Sequence, residues 1–427
     1  MYIEMSKIKE LQELLSLYVA LKAERGASGL NAIVDGVKKT LDAALEEIKR
    51  LPESINAPDG LNEIKALRPA GPRRIWQNFD ASVYRERLAG AMLGRFAGCT
   101  LGAIVEFWSQ EDMSKLAEAN QQPFPPVDYW NEIPFPWQLR YNKSRQDGYT
   151  RTRMNGVPVD DDIAYTLLGL LVLEDYGPDF TVADVGRAWL KYLPYACTAE
   201  NVALNNLKRG IPAESVADID NPFCAWIGAD IRSDPWGYAA PGLPEIAAEM
   251  AWRDAYISHR QEGIYGEMYF SAAIAAAFTV NDPVEALEIG LTEIPAECAM
   301  AQAVKWALNT APGIADYKAA RAAVDKKFKG MSRVHTLNNA CLTIFGITIG
   351  KKDFTRVIGE TVAMGLDNDC TAATAGSIVG AVIGLKNIPS HWHCNFNDTV
   401  HSYLIGHERF GINDMLDRFT VQAHRRF

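Results

Sequence analysis

The sequence predicts an all-α fold. Apolar residues recur at helical spacing along most of the 427-residue chain, whereas the strict apolar–polar alternation of half-buried strands is scarce. Hydrophobic residues make up 48% of the chain and ten residues are tryptophan, so a large core can be buried. We expect a compact multi-helix domain with an N-terminal helical hairpin.

The first segment predicts that hairpin. Apolar residues follow helical spacing over 4–24 and again over 31–50, and Gly26 and Gly29 separate the two patterns. A lone hairpin of this length rarely buries enough surface to be stable by itself. We therefore expect it to lie apart from any chemistry and to mediate contact with an oligomer or a partner.

The main domain is predicted to be built from long helices. The segment 51–75 is rich in Pro and Gly, which is typical of a linker, so we assign 1–77 to hairpin and linker and 78–427 to the main domain. The helical patterns of the main domain cover 84–106, 161–176, 182–193, 198–209, 245–259, 267–279, 284–291, 297–309, 337–350, 354–363 and 370–385. The aromatic, Pro-rich segment 122–150 predicts a long irregular loop, a type of element that is often functional.

Two of these helices carry glycine at every fourth position. The glycines are Gly90, Gly94, Gly98 and Gly102 in the first helix, and Gly376, Gly380 and Gly384 near the end of the chain. Each glycine inside a helix costs about 1 kcal/mol relative to alanine, so the pattern needs a compensating interaction. Glycines on one face allow two helices to cross closely, and packing alone would be sufficient to explain them.

Acidic residues stand beside both glycine patterns and at a third helix start. They are Glu106, Asp160, Asp161, Asp162, Asp367 and Asp369. Capping of helix N-termini would account for one such group, but only one of three consecutive aspartates can be the cap. The helix after Asp162 is apolar on most faces, which implies burial, and buried carboxylates need a cation. A site for one or two divalent ions, Mg²⁺ or Mn²⁺, would satisfy them, because hard cations prefer oxygen ligands.

Composition narrows the class of protein. A net charge of −10 disfavours direct binding of nucleic acid. Seven cysteines without a CxxC pair are typical of reduced thiols, so we expect a cytoplasmic protein. We find neither a signal peptide nor an apolar stretch of the roughly 18 residues that a membrane span needs.

Three motifs resemble the ADP-ribosylglycohydrolase family, over roughly residues 82–421. They are "GCTLGAIVE" ending at Glu106, "DDD" at 160–162, and "GLDNDCTAATAGSIVGA" containing Asp367 and Asp369. The resemblance implies an all-helical fold around a dinuclear Mg²⁺ centre, and hydrolysis of the bond between ADP-ribose C1″ and an acceptor. It implies Asp160, Asp161, Asp162, Asp367 and Asp369 as metal ligands, and Glu106 and Asp161 as catalytic residues.

Two weaker correspondences imply substrate contacts. "IGADIRSDPWG", with Gly228 and Arg232, is similar to the family's diphosphate-contacting segment, and "ISH", ending at His259, is similar to its T-H element. The chain departs from the family pattern at Cys99, Asp160 and Cys370, and a neutral thiol is a poor Mg²⁺ ligand. The alternative is therefore a non-catalytic protein of the same fold, either an ADP-ribose-binding protein or a crystallin-like structural protein.

Overall fold

The chain forms two compact units, which divide between Ala57 and Pro58. The structure, a computed structural model, describes residues 5–51 and 57–427. The first unit contains helices α1 (Ser6–Glu24) and α2 (Leu30–Lys49), as the sequence predicts. The predicted start of the first helix at residue 4 and residues 52–56 of the predicted linker lie outside the described residues.

Helices form nearly all the regular secondary structure of the second unit, which confirms the all-α prediction. Its helices are α3 (Leu61–Leu67), α4 (Ala81–Ala103), α5 (Gln110–Ala119), α6 (Asp161–Tyr176), α7 (Val182–Tyr192), α8 (Thr198–Lys208), α9 (Asp234–Ala239), α10 (Pro244–Ala255), α11 (Glu262–Ala277), α12 (Pro283–Gly290), α13 (Ala299–Thr310), α14 (Tyr317–Lys327), α15 (Thr336–Gly350), α16 (Phe354–Met364), α17 (Asn368–Ile383) and α18 (Ile412–His424). Two short antiparallel pairs complete it: β1 (Leu139–Arg140) with β2 (Ser144–Arg145), and β3 (Val400–His401) with β4 (Arg409–Phe410).

Each predicted helix is present, with ends that shift by up to about five residues. The bounds of α6 are those predicted, because Asp160 caps its start and Gly177, with φ of 77°, ends it. Helices α3, α5, α9, α14 and α18 were not predicted from the sequence. Two of these, α3 and α9, are 7 and 6 residues long, too short to show a helical period.

Residues 58–77, which precede the predicted domain start, pack on the rest of the second unit. Ile64 of α3 is fully buried, and Trp252 donates its indole N–H to the carbonyl oxygen of Asp59 at 2.8 Å. Arg68 and Arg73 donate to opposite oxygens of the buried Glu293 carboxylate, at 2.6 and 2.7 Å. The compact unit therefore starts at Pro58 and not at 78, because these contacts tie residues 58–77 to it.

The core is organised by an antiparallel crossing of α4 and α17. A Cβ atom built on any of the four glycines of α4 would lie 2.1–2.5 Å from backbone atoms of α17, which no real Cβ atom does. The facing pairs are Gly90 with Gly380, Gly94 with Gly376, Gly98 with Ala372, and Gly102 with Asp369. The glycine patterns therefore serve close backbone approach, as predicted. Gly384 differs, because it lies just after α17 with φ of 75° and ends the helix.

Among residues 5–51 and 57–427, no helix combines the length and apolar character that crossing a membrane requires.

We predict that Gly98→Ala destabilises the second unit. The new Cβ would lie 2.1 Å from the carbonyl oxygen of Ala372, a backbone atom that a rotamer change cannot move away. The expected loss is about 1–3 kcal/mol in the free energy of unfolding, although alanine ordinarily stabilises a helix. Chemical denaturation measures this, with Gly313→Ala as the control because that exposed glycine has no atom within 4 Å of the position. Equal stability of the two variants would contradict the close crossing.

We further predict different outcomes for two N-terminal deletions. A chain that begins at Pro58 should keep the thermal stability of the second unit. A chain that begins at Trp76 removes Arg68 and Arg73 and leaves the Glu293 carboxylate, 0% exposed, without its cations. Loss of buried ion-pair partners should cost roughly 3–5 kcal/mol. Thermal melts compare the two chains, and identical curves would show that residues 58–75 contribute nothing.

Candidate functional site

Three helix ends meet at one edge of the second unit. The antiparallel crossing places the end of α4, followed by Glu106, beside the start of α17, preceded by Asp367. The backbone N–H of Phe107 donates to the carbonyl oxygen of Leu366 at 3.1 Å and holds the two turns together. The start of α6 joins them through Arg95 of α4, whose guanidinium donates to the carbonyl oxygen of Asp162 at 2.7 Å.

Helix capping explains only part of the acidic residues. Asp160 is the cap of α6, since its carboxylate accepts from the N–H of Asp162 at 3.1 Å. Asp367 precedes α17 without a side-chain capping hydrogen bond. Its carboxylate is therefore available for another role.

The acidic side chains form two groups that could hold a metal ion. Glu106, Asp367 and Asp369 offer ligand atoms that lie within 4.8 Å of one another, and so do Cys99, Asp160 and Asp162. The structure thus brings Asp160, Asp162, Asp367 and Asp369 into candidate ligand groups, and adds Glu106 and Cys99 to them.

The guanidinium of Arg140 lies between these two groups. It donates to Glu106 Oε2 at 2.7 Å, to Asp160 Oδ2 at 2.9 Å and to Asp369 Oδ2 at 2.7 Å. A further bond, to the carbonyl oxygen of Ala103 at 2.9 Å, anchors it to the end of α4. The sequence analysis flagged the loop 122–150 but not this residue, because a single arginine in an irregular segment has no pattern that marks it.

Burial and mutual repulsion raise the pKa values of the acidic side chains. Burial is the largest cause for Asp162, Asp367 and Asp369, and a neighbouring carboxylate adds to it in each case. The pKa of Asp161 is raised to about 6 by burial and by Asp160, although the hydroxyl of Tyr141 donates to its carboxylate at 2.6 Å. Protons or cations must therefore neutralise part of this cluster.

A cavity of about 210 Å³ opens beside the cluster. Its acidic side is formed by Glu106, Asp161, Asp162, Asp367 and Asp369. Its other walls include Phe107, Tyr141, Tyr165, Glu200, Trp226 and Gly228. The volume is small against the roughly 300–1,000 Å³ of most ligand pockets.

Glu200 is a further acidic residue of this cavity that sequence reasoning missed. Its side chain is buried, and burial raises its pKa to about 7, although Arg232 donates to it at 2.7 Å. A Cβ atom on Gly228 would lie 2.2 Å from a Glu200 carboxylate oxygen, so a larger residue there would displace the end of the Glu200 side chain. No motif surrounds Glu200 in the sequence, so only the fold identifies it.

Arg232 and His259 do not line the cavity. Arg232 is 2% exposed and donates to Glu200, to Asp254 at 2.5 Å and to Ser258. His259 is fully buried, burial lowers its pKa well below the usual value, and its Nδ1 lies 2.8 Å from the Ser258 hydroxyl. This placement gives Arg232 a structural role and does not support the predicted contact with a diphosphate. Of the three predicted substrate-binding residues, only Gly228 lines the cavity.

Cys99 and Cys370, two positions at which the chain departs from the family pattern, are both buried. Burial raises the pKa of the Cys99 and Cys370 thiols well above the usual value, so both are neutral near pH 7. A neutral thiol suits Mg²⁺ poorly. The group of Glu106, Asp367 and Asp369 therefore matches a hard cation better than the group that contains Cys99.

Comparison with known proteins identifies the fold and the family of this chain. The chain is similar to a solved structure titled "ADP-ribosylglycohydrolase-related protein complex", with 19% identity, a TM-score of 0.54, and coverage of 81% of this chain and 99% of that one. At this identity the likeness shows the fold alone. No curated protein matches the chain. The family model described as ADP-ribosylglycohydrolase matches residues 80–422. The chain belongs to the ADP-ribosylglycohydrolase family.

Proposed function

We propose that this protein hydrolyses the glycosidic bond between C1″ of ADP-ribose and an acceptor, with the help of a divalent ion, Mg²⁺ or Mn²⁺. The observation that carries the proposal is the convergence of acidic residues from three helix ends on one cavity, in a member of this family. The net charge of −10 does not oppose a diphosphate substrate if a divalent ion neutralises part of the cluster.

The donor atoms fit a hard cation. The group of Glu106, Asp367 and Asp369 is all oxygen, and Asp369 Oδ1 is buried without a hydrogen-bond partner. We propose this group as the main ion site and the group with Cys99 as the weaker second one. A bound divalent ion would polarise ribose oxygens and lower the pKa of a water molecule.

The proton chemistry is assigned to side chains on the cavity wall. Asp161, with a pKa of about 6, can take up or release a proton near neutral pH, and Tyr141 fixes the orientation of its carboxylate. Glu106 is held by Arg140, so its carboxylate has a defined position from which to bind an ion or orient water. Glu200 is a further titratable group of the cavity with a pKa near neutrality.

A second candidate function is binding of ADP-ribose without hydrolysis. The position of Arg140 favours it, because a guanidinium already neutralises three of the carboxylates. The two buried cysteines at family positions favour it as well. Release of ADP-ribose from a modified substrate distinguishes the two functions.

For the N-terminal hairpin we propose a role in assembly or partner docking. Its exposed apolar residues include Leu11, Leu17, Ile33 and Ile48. Light scattering on the full chain and on a chain that begins at Pro58 tests this, and we expect the shorter chain to have the lower oligomeric mass. Equal oligomeric states would remove the argument for self-assembly.

We predict that Glu106→Gln retains ADP-ribose binding but lowers Mg²⁺-dependent release of ADP-ribose by about 10²-fold or more, the usual contribution of a positioned acid or base. The substitution keeps the shape of the side chain and removes its charge. Wild type and variant are incubated with a panel of ADP-ribosylated proteins, nucleic acids and small molecules. Glu111→Gln is the control, because Glu111 is exposed and pairs only with Lys115 among the described residues.

Two results would count against this assignment. If Glu106→Gln releases ADP-ribose as fast as the control, Glu106 takes no part in the reaction. If the wild type binds ADP-ribose but releases none from any member of the panel, the non-catalytic function is the correct one.

A further inference from the structure

A short β-hairpin inserts its tip into the acidic cluster. It consists of β1 and β2, and the turn between them includes Tyr141 and Asn142, whose φ angles are +53° and +54°. The turn is fixed by the Tyr195 hydroxyl, which donates to the carbonyl oxygen of Tyr141 at 3.0 Å. Ser144 on the second strand accepts from the N–H of Val159 at 3.1 Å, just before the cap of α6.

This hairpin places the positively charged guanidinium of Arg140 where the two groups of candidate metal ligands meet. The guanidinium of Arg140 bonds to Glu106 and Asp369 of one group and to Asp160 of the other. The Arg140 side chain is 14% exposed, and those of Asp160 and Asp369 are 1% and 2% exposed. Because charges that are shielded from water interact strongly, the arginine is a strongly held neutralising charge here.

A divalent ion and this guanidinium require the same atoms. Arg140 occupies one oxygen of each of three carboxylates, and an ion bound by Glu106 and Asp369 would lie within a few ångströms of its positive charge. Asp369 Oδ1, buried and unpartnered, is an acceptor that the arginine leaves free. The cluster therefore retains affinity for an ion, but repulsion from Arg140 opposes binding.

We propose that Arg140 is an internal competitor of the divalent ion, and that tight ion binding requires the hairpin of β1 and β2 to withdraw from the cluster. The hairpin also supplies Tyr141 to the cavity wall, so withdrawal enlarges the cavity, which is small for a nucleotide-sized ligand. The inference rests on the proposed function only in that the acidic cluster binds a divalent ion.

Titration of the full chain with MnCl₂ tests the competition. Calorimetry or the electron paramagnetic resonance of free Mn²⁺ gives the affinity of the wild type, Arg140→Gln and Arg145→Gln. Arg145 lies on the same hairpin but pairs with Asp147, and its side chain is 59% exposed, so it is the matched control. We expect Arg140→Gln to bind Mn²⁺ at least about tenfold more tightly than the wild type, because the repelling charge is gone. Equal affinities of all three proteins would overturn the proposal.

Hydrogen exchange of the wild type provides a second measurement, which decides the matter if Arg140→Gln does not fold. Saturating Mn²⁺ should increase deuterium uptake in residues 138–146, since the hairpin loses its contacts with the cluster. Unchanged or decreased deuterium uptake in these residues would overturn the proposal that the hairpin withdraws.

These outcomes are independent of those for the proposed function. Tighter Mn²⁺ binding by Arg140→Gln without any ADP-ribose release would support the competition and reject hydrolysis. Mn²⁺-dependent release with equal Mn²⁺ affinities would support hydrolysis and reject the competition.

Discussion

The close crossing of α4 and α17 is the contact on which the acidic site of the second unit depends. Four glycines of α4 face the backbone of α17 at distances that exclude any side chain, so the two helices lie against each other without a layer of side chains between them. Because they run antiparallel, the end of one meets the start of the other. Glu106 is thereby fixed next to Asp367 and Asp369, and Gly102 is the residue that permits Asp369 to approach.

This arrangement places buried carboxylates close together, and arginines neutralise their charges. Carboxylates buried together repel one another and lose hydration, so each group needs a cation or a proton. Arg95 pairs with Asp162 and Asp234, and Arg140 pairs with Glu106, Asp160 and Asp369. Arg232 does the same for Glu200, Asp254 and Glu267 behind the cavity. Ion pairs between buried carboxylates and arginines thus stabilise the core and shape the site.

The difference between these arginines lies in the element that carries each one. Arg95 is part of α4 and is fully buried, so its position is fixed by the helix packing. Arg140 is part of a two-residue strand in a long irregular segment, so its position is fixed by the hydrogen bonds of that hairpin and not by the packing of a long helix. The proposed withdrawal of Arg140 would move a short hairpin, whereas displacement of Arg95 would disturb the packing of α4.

Several features of this protein could be predicted from the sequence because they depend on local pattern. The all-α class follows from helical periodicity, and the bounds of α6 follow from its cap and its terminal glycine. The glycine spacing indicated the close crossing, since only a backbone contact justifies glycine at every fourth helical position. The three acidic motifs were expected to converge, because each stands at the end of a helix with a small or apolar face, and residues of all three line one cavity.

Other features depended on which chain segments the fold brings together. Residues 58–77 belong to the second unit because Glu293, more than 200 residues later in the sequence, binds Arg68 and Arg73. Arg232 carries the expected motif, but the direction of its side chain is set by buried carboxylates on α8, α10 and α11. The His259 ring is buried against the Ser258 hydroxyl. Arg140 reaches Asp369 across 229 positions of sequence. Local pattern cannot show such a contact, since it arises only when the core has packed.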